Sequence, residues 1–327
     1  MKKHLTAVLG MAMLTGMTTY HRRALVIPLF GAQAVTETTS QPQQIAKGVW
    51  FFVGDKSKGY SNTTVIEMED YLIVVDANYP GRAKELVQIV KGLSPKPVRY
   101  VFDTHAHGDH SYGNAVWTAS GATTLAFQGV ALDMDKWEPT RWRQAMPKRA
   151  DLRETGQNDV QRPQKLIYGH KLVLKDKMRD VEFLAFGWGH TEGDGYVWLP
   201  RERILCTGDG AVNGPYNKVI DANLTNWPKA LDRVAHLRPL HVLPGHGKAG
   251  DAEILTGQAQ FFRDLRRAVA DDIAKGQKPP AMTVELPAAD RNWVPISRPD
   301  LWQQDIATMY LELVSHKPAG SLPHEWK

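Results

Sequence analysis

Within residues 104–110, Thr-His-Ala-His-Gly-Asp-His, four side chains able to ligate a metal fall inside six positions: His105, His107, Asp109 and His110. Imidazole and carboxylate donors without thiolates suit Zn²⁺, and also Fe or Mn, so the donor type leaves the metal open. In an extended or turning backbone His105 and His107 project to one side and can share an ion, while Asp109 and His110 face elsewhere and can hold a second. Helix capping would call for one such residue and not four. Three further candidates each follow an apolar run and sit in a glycine-bearing turn, where backbone can approach closely: His190 in 188–191, Asp209 in 207–210 and His246 in 244–247. His4, His21, His170, His236, His241, His316 and His324 lack that setting and read as surface, core or leader histidines.

Elements must carry these residues to one place. The apolar run 98–102 reads as a buried strand leading directly into the His-rich loop. Before it, 71–75 reads as a strand ending at Asp76, and 82–93 as a helix with Leu86, Ile89, Val90 and Leu93 on one face. The three form a β-α-β unit, which delivers the loop at the carboxyl end of a strand, where open α/β sheets place ligands. Asp76, ending the neighbouring strand, is placed either to hydrogen-bond a metal-bound histidine or to cap its own turn. Strands over 48–53 and 63–68 flank a turn-rich piece, 54–60, that is a flap over the site or a plain hairpin tip. The charged, helical stretch 127–163, with Trp137 and Trp142, reads as an insertion beside the site or a surface excursion. Strands follow over 171–174, 181–186, 196–199, 204–206 and 240–243, with a helix between the last two carrying Pro228 in its first turn. Amphipathic patterns over 258–276 and 301–313 predict helices that pad the core or an oligomer contact.

At 327 residues and 43% apolar content the chain can build a sizeable core. Lys2, Lys3, Arg22 and Arg23, with no acid in the first 34 residues, account for four of the net +5 charges and leave the remainder at +1. That balance gives no support to a nucleic-acid partner. Residues 1–34 read as an export leader, with a basic start, an apolar run and an Ala-Gln-Ala cleavage pattern at 32–34; neither of its apolar runs is long enough for a membrane span. Residues 35–45 then form a linker, 46–250 a main domain and 251–327 a helical extension packed on it. Cys206 is the only cysteine, which excludes an internal disulfide and a thiolate cluster.

With His105, His107, Asp109, His110, His190, Asp209 and His246 assembled, the sequence resembles the metallo-β-lactamase-fold hydrolase superfamily over about residues 46–250. The resemblance implies a four-layer αβ/βα sandwich with a two-metal site on one edge. It implies that His105, His107 and His190 hold one ion, that Asp109, His110 and His246 hold the other, and that Asp209 bridges them. It further implies two Zn²⁺ and a bridging hydroxide that attacks a small carbonyl substrate (amide or β-lactam, lactone, ester or thioester), with Asp109 orienting the hydroxide. One zinc β-lactamase group of the family carries Cys at the position of Asp209 and another makes no ligand there, whereas Asp is the pattern of thioesterases, lactonases and phosphodiesterases. The alternative on the same fold is a non-haem iron oxidoreductase of the persulfide dioxygenase type. A small-molecule substrate, no nucleic acid, no stable membrane span and a periplasmic or secreted location complete the expectation; the oligomeric state stays open.

Overall fold

The computed structural model describes residues 41–322, so the leader read over 1–34 lies outside the described residues. Two sheets stack face to face. The first has seven strands in chain order: β1 (Gln43–Ala46), β2 (Val49–Phe52), β3 (Thr63–Glu67), β4 (Leu72–Val75), β5 (Val98–Phe102), β6 (Thr123–Phe127) and β7 (Lys165–Ile167). β1 to β4 pair antiparallel, and β4 to β7 pair parallel. The second sheet runs β12-β11-β10-β9-β8, built from β8 (Lys171–Lys175), β9 (Asp180–Leu184), β10 (Tyr196–Leu199), β11 (Ile204–Gly208) and β12 (His241–Pro244). Only β11 and β12 are parallel there. β1 begins at Gln43, within the stretch read as a linker.

The period-two alternation of strand side chains assigns the layers. On β4, Ile73 and Val75 face the second sheet, where they share a core with Phe102, Phe183, Val197 and Cys206. Leu72 and Val74 face the other way, against Leu86 and Val90 of α1 (Pro80–Leu93) and Trp117 of α3 (Asn114–Ala119), which follows the single turn α2 (Gly108–Ser111). On the second sheet, Tyr196, Trp198, Leu205 and Val242 turn outward onto three helices. The part of that core outside the sheet includes Trp227 and Leu231 of α6 (Trp227–Ala235), Leu255 and Phe262 of α7 (Glu253–Ala274), and Ile306 and Met309 of α8 (Pro299–Ser315). The result is the expected four-layer αβ/βα sandwich with a helical C-terminal region. Large side chains such as Phe183, Phe262 and Trp227 are wholly buried, and each contributes about 1.5–3 kcal/mol or more by leaving water.

The stretch after β6 forms α4 (Gln128–Ala145), a 3₁₀ turn and α5 (Ala150–Arg153). Among the described residues no helix is long and apolar enough to cross a membrane.

Candidate metal centre

The carboxyl ends of β4, β5, β9, β11 and β12 lie at one edge of the sandwich, and the loops leaving them carry the candidate residues. β5 runs into the His-rich loop, β9 into His190, β11 into Asp209 and β12 into His246. Two glycines make the crowding possible. Gly208 adopts φ +49, and a Cβ there would run into Thr104; a Cβ on Gly245 would run into the Asp209 carboxylate. Asn62, at the end of the 54–60 loop, donates from Nδ2 to the carbonyls of Pro244 (2.7 Å) and Gly247 (2.9 Å), which pins the turn that holds His246.

All seven candidates meet there in two adjoining sets, His105, His107, His190 and Asp209 in one and Asp109, His110 and His246 in the other. Within the first, His107 Nδ1 lies 3.1 Å from His105 Nε2 and 3.0 Å from His190 Nε2. Three imidazole nitrogens sharing one tetrahedral ion at the usual ~2.0–2.1 Å would sit roughly 3.3 Å from one another, so the set fits a single ion. Within the second, Asp109 Oδ2 is 3.1 Å from His246 Nε2 and 3.6 Å from His110 Nε2. Asp209 touches both: Oδ2 stands 3.7 Å from His190 Nε2, 4.0 Å from His105 Nε2 and 3.6 Å from His246 Nε2, and Oδ1 3.3 Å from His110 Nε2. That last approach is off the line of a hydrogen bond, and both His110 Nε2 and Asp209 Oδ1 are buried without another partner. Buried polar atoms left this way fit a cation between them. His170, His236, His241 and His316 are exposed and take no part.

Carboxylates accept and do not donate, so they fix the histidine tautomers. His110 Nδ1 donates to Asp76 Oδ2 at 2.8 Å, leaving Nε2 to face the ions. Asp76 also accepts from Thr104 N at 2.8 Å through Oδ1 and adopts φ +70, so it joins two strand ends. The role read for it from sequence, at a histidine, is the one it occupies. His107 Nε2 likewise donates at 2.7 Å to Asp221 Oδ2, leaving Nδ1 for the ion. Asp221 escaped the sequence reading: it lies in the irregular stretch between β11 and α6, with no spacing signal beyond its apolar neighbours Val219, Ile220 and Ala222.

The electrostatics divide the sets. Burial, reinforced by neighbouring histidines, holds His105 well below the usual imidazole range. Burial and Lys218 do the same for His107, and burial brings His190 down to about 4. All three are therefore neutral at pH 7, the form that binds metal. Burial opposes the charged form of Asp109 and Asp209 as well, yet the adjacent His110 and His246 outweigh it and hold both carboxyls low. Reciprocally, burial disfavours charged His110 and His246, but Asp209 and its fellow carboxylates raise both. The second set thus carries ionised carboxylates beside nitrogens that a metal would have to deprotonate. It is also the more open one, with the Asp109 and His246 side chains 21% and 19% exposed against 0–3% for the other histidines. Asp109, with His107 and Gly108, lines a cleft of about 560 Å³ walled by Tyr79, Arg141, Arg149, Lys218 and Gln304, the last from α8.

A family model described as the metallo-beta-lactamase superfamily matches residues 57–246, more than half of the chain. The chain belongs to that superfamily. Among curated relatives, a metallo-beta-lactamase type 2 of Bacillus sp. (strain 170) is 29% identical over 224 residues, covering 65% of this chain and 78% of the relative. The 2,4-dinitroanisole O-demethylase subunit alpha of a Nocardioides species is 26% identical over 223 residues, covering 67% of this chain and 60% of the relative. Solved metallo-beta-lactamases superpose on the fold. That of Hirschia baltica has TM-score 0.54 and 25% identity, covering 68% of this chain and 97% of its own; that of Pontibacter korlensis has TM-score 0.56 and 20% identity, covering 68% and 98%. The superfamily's two sheets are the two described above, and the cluster of seven residues lies inside or at the end of the matched segment.

Proposed function

We propose that the protein is a dinuclear metal-dependent hydrolase of a small carbonyl compound, with His105, His107 and His190 holding one ion, Asp109, His110 and His246 the other, and Asp209 between them. The observation that carries this reading is the junction of the two sets at Asp209, next to the His107 and Asp109 that line the cleft, with the outward nitrogens of His105, His107 and His110 engaged by Thr104, Asp221 and Asp76. Two Zn²⁺ ions held there would lower the pKa of a shared water toward ~7 and polarise a carbonyl. Asp109 Oδ2, 3.1 Å from His246 Nε2 and kept ionised by His110 and His246, would accept a hydrogen bond from that water and so orient it. Tyr79 and Arg149, whose guanidinium stacks 3.4 Å from the Tyr79 ring centre, wall the cleft and limit the substrate to a small molecule. No serine or thiol nucleophile is needed, and Cys206 is buried in β11, where burial pushes its thiol up to about 12.

The name of the Bacillus relative favours a β-lactam among the candidate substrates, while an Asp at position 209 favours lactones and thioesters. The reading of residues 1–34 as a leader supports a periplasmic or secreted enzyme. The test is turnover of a chromogenic cephalosporin, a lactone and a glutathione thioester by the zinc-reconstituted chain, with and without chelator. Cleavage of one class that chelator abolishes and zinc restores, and that His107→Ala loses while still folded, is the expected result. Full activity in that variant would sink the site assignment. No cleavage of any class, with iron retained and oxygen consumed, would replace the hydrolase by the oxidoreductase.

A further inference from the structure

We propose that Arg141 on α4, held by Glu138, is the positioning residue of the three-histidine site, locking His107 in place through Asp221; the inference rests on the metal-binding part of the reading above. The contacts form a closed ring. His107 Nε2 donates to Asp221 Oδ2 at 2.7 Å. Arg141 Nη2 donates to both Asp221 oxygens, at 2.7 and 2.8 Å, and Arg141 Nη1 to Glu138 Oε1 at 2.9 Å. Glu138 Oε2 accepts from the Tyr112 hydroxyl at 2.6 Å. Tyr112 stands five residues beyond His107, so the ring leaves the His-rich loop at one end and returns to it at the other, with α4 as its far side.

Burial makes the ring tight. Glu138 is fully buried, and the side chains of Asp221 and Arg141 are only 5% and 16% exposed. A carboxylate in such a place is costly unless paired and hydrogen-bonded, and one guanidinium with separate nitrogens for two carboxylates meets that need where a point-like ammonium does not. Asp221 has its main chain fixed as well, its carbonyl accepting from Trp188 Nε1 at 2.8 Å. Consequently His107 keeps its proton on Nε2 and presents Nδ1 to the ion, and its ring cannot turn without breaking a buried ionic network. Arg141 also walls the cleft, but its hydrogen bonds all run to this network. The stretch that reads from sequence as an insertion beside the site or a surface excursion thus supplies, in this proposal, support for the metal centre.

Arg141→Met, Arg141→Lys and Glu138→Gln in the full chain test the proposal. Each is titrated with Zn²⁺ against a chromophoric chelator, and its Co²⁺ form is followed by visible absorption. Arg141→Met is expected to weaken one of the two ions by up to about 10-fold, the low end of the effect of losing an outer partner of a metal ligand, since Asp221 itself stays on His107, and to leave the other unchanged. Arg141→Lys and Glu138→Gln should fall between it and the parent, with a shifted Co²⁺ spectrum at the affected site. A merely structural arginine would lower the melting temperature and leave ion affinities and spectrum alone. If Arg141→Met fails to fold, Arg141→Lys carries the test. Parental affinity and spectrum in the folded variants overturn the proposal. A parent that binds two ions yet cleaves nothing sinks only the hydrolase reading, whereas a parent that binds none sinks both.

Discussion

Asp76→Asn changes one atom and should cost the protein a metal ion. The parent carboxylate accepts two buried hydrogen bonds, from Thr104 N and from His110 Nδ1, both at 2.8 Å. Asparagine tolerates the φ of +70 found there, and its oxygen can keep the Thr104 bond, so the backbone has no reason to move. Its amide nitrogen, however, then faces His110 Nδ1 with a donor. The histidine must then accept at Nδ1 and keep its proton on Nε2, which leaves no lone pair there for a metal to take. A hydrogen bond to a charged group is worth about 1.5–3 kcal/mol, and loss of such a partner typically weakens metal binding about 10- to 100-fold, or about 1.4–2.8 kcal/mol. The assay is zinc competition with a chromophoric chelator: Asp76→Asn should retain one tight ion and bind the second weakly, with turnover falling in parallel. Asp76→Ala separates the two duties, since it also strands the Thr104 amide and puts a strained residue at positive φ, and should lose stability in addition. Two tight ions in Asp76→Asn would refute the argument that Asp76 sets the His110 tautomer.

Two other perturbations follow from the same edge of the sheets. Gly245→Ala places a methyl against Asp209 Oδ1 and the Gly208 backbone; it should lower turnover at least 100-fold and loosen both ions, since Asp209 touches both sets, while circular dichroism stays native. Asp133 on α4 is pushed up to about 7, by burial first and then by Glu192, Asp221 and Asp194, against 3.8 for a free aspartate. The folded chain therefore binds a proton the unfolded chain releases between pH 3.8 and about 7, and stability falls as pH rises through that window. At about 1.4 kcal/mol per pH unit the ceiling is about 4 kcal/mol. Asp133→Asn should flatten the fall, so that urea titrations show it gaining on the parent from pH 4 to pH 8; an unchanged difference across that range would refute the burial argument.

What could be read from the sequence, and what could not, follows from the range of the interactions. The β-α-β unit around the His-rich loop was legible because its signals are local. The run 98–102 becomes β5 with those bounds, and the one-sided pattern of Leu86, Ile89, Val90 and Leu93 becomes α1. All seven clustered residues were legible for a similar reason: a histidine or aspartate directly after an apolar run, beside glycine, has few structural uses. Strands β1, β6 and β7 escaped because three to five residues carry too little periodicity, and β7 is held mainly by its parallel partner β6. The start of α7 was placed five residues late, since Thr256 and Gly257 are poor helix formers. There the fold overrides propensity: Ile254 and Leu255 are buried in the outer core, and Gly257 leaves room for the Trp293 ring, which a Cβ would strike. Asp221, Arg141 and Glu138 were illegible for a stronger reason. Asp221 meets His107 across 114 residues and Arg141 across 80, and neither partner has a distinctive neighbourhood. Their pairing is a property of two separate loops and α4 brought to one edge, so the sequence could name the seven residues that cluster while the groups that hold His107 emerged only from the packing.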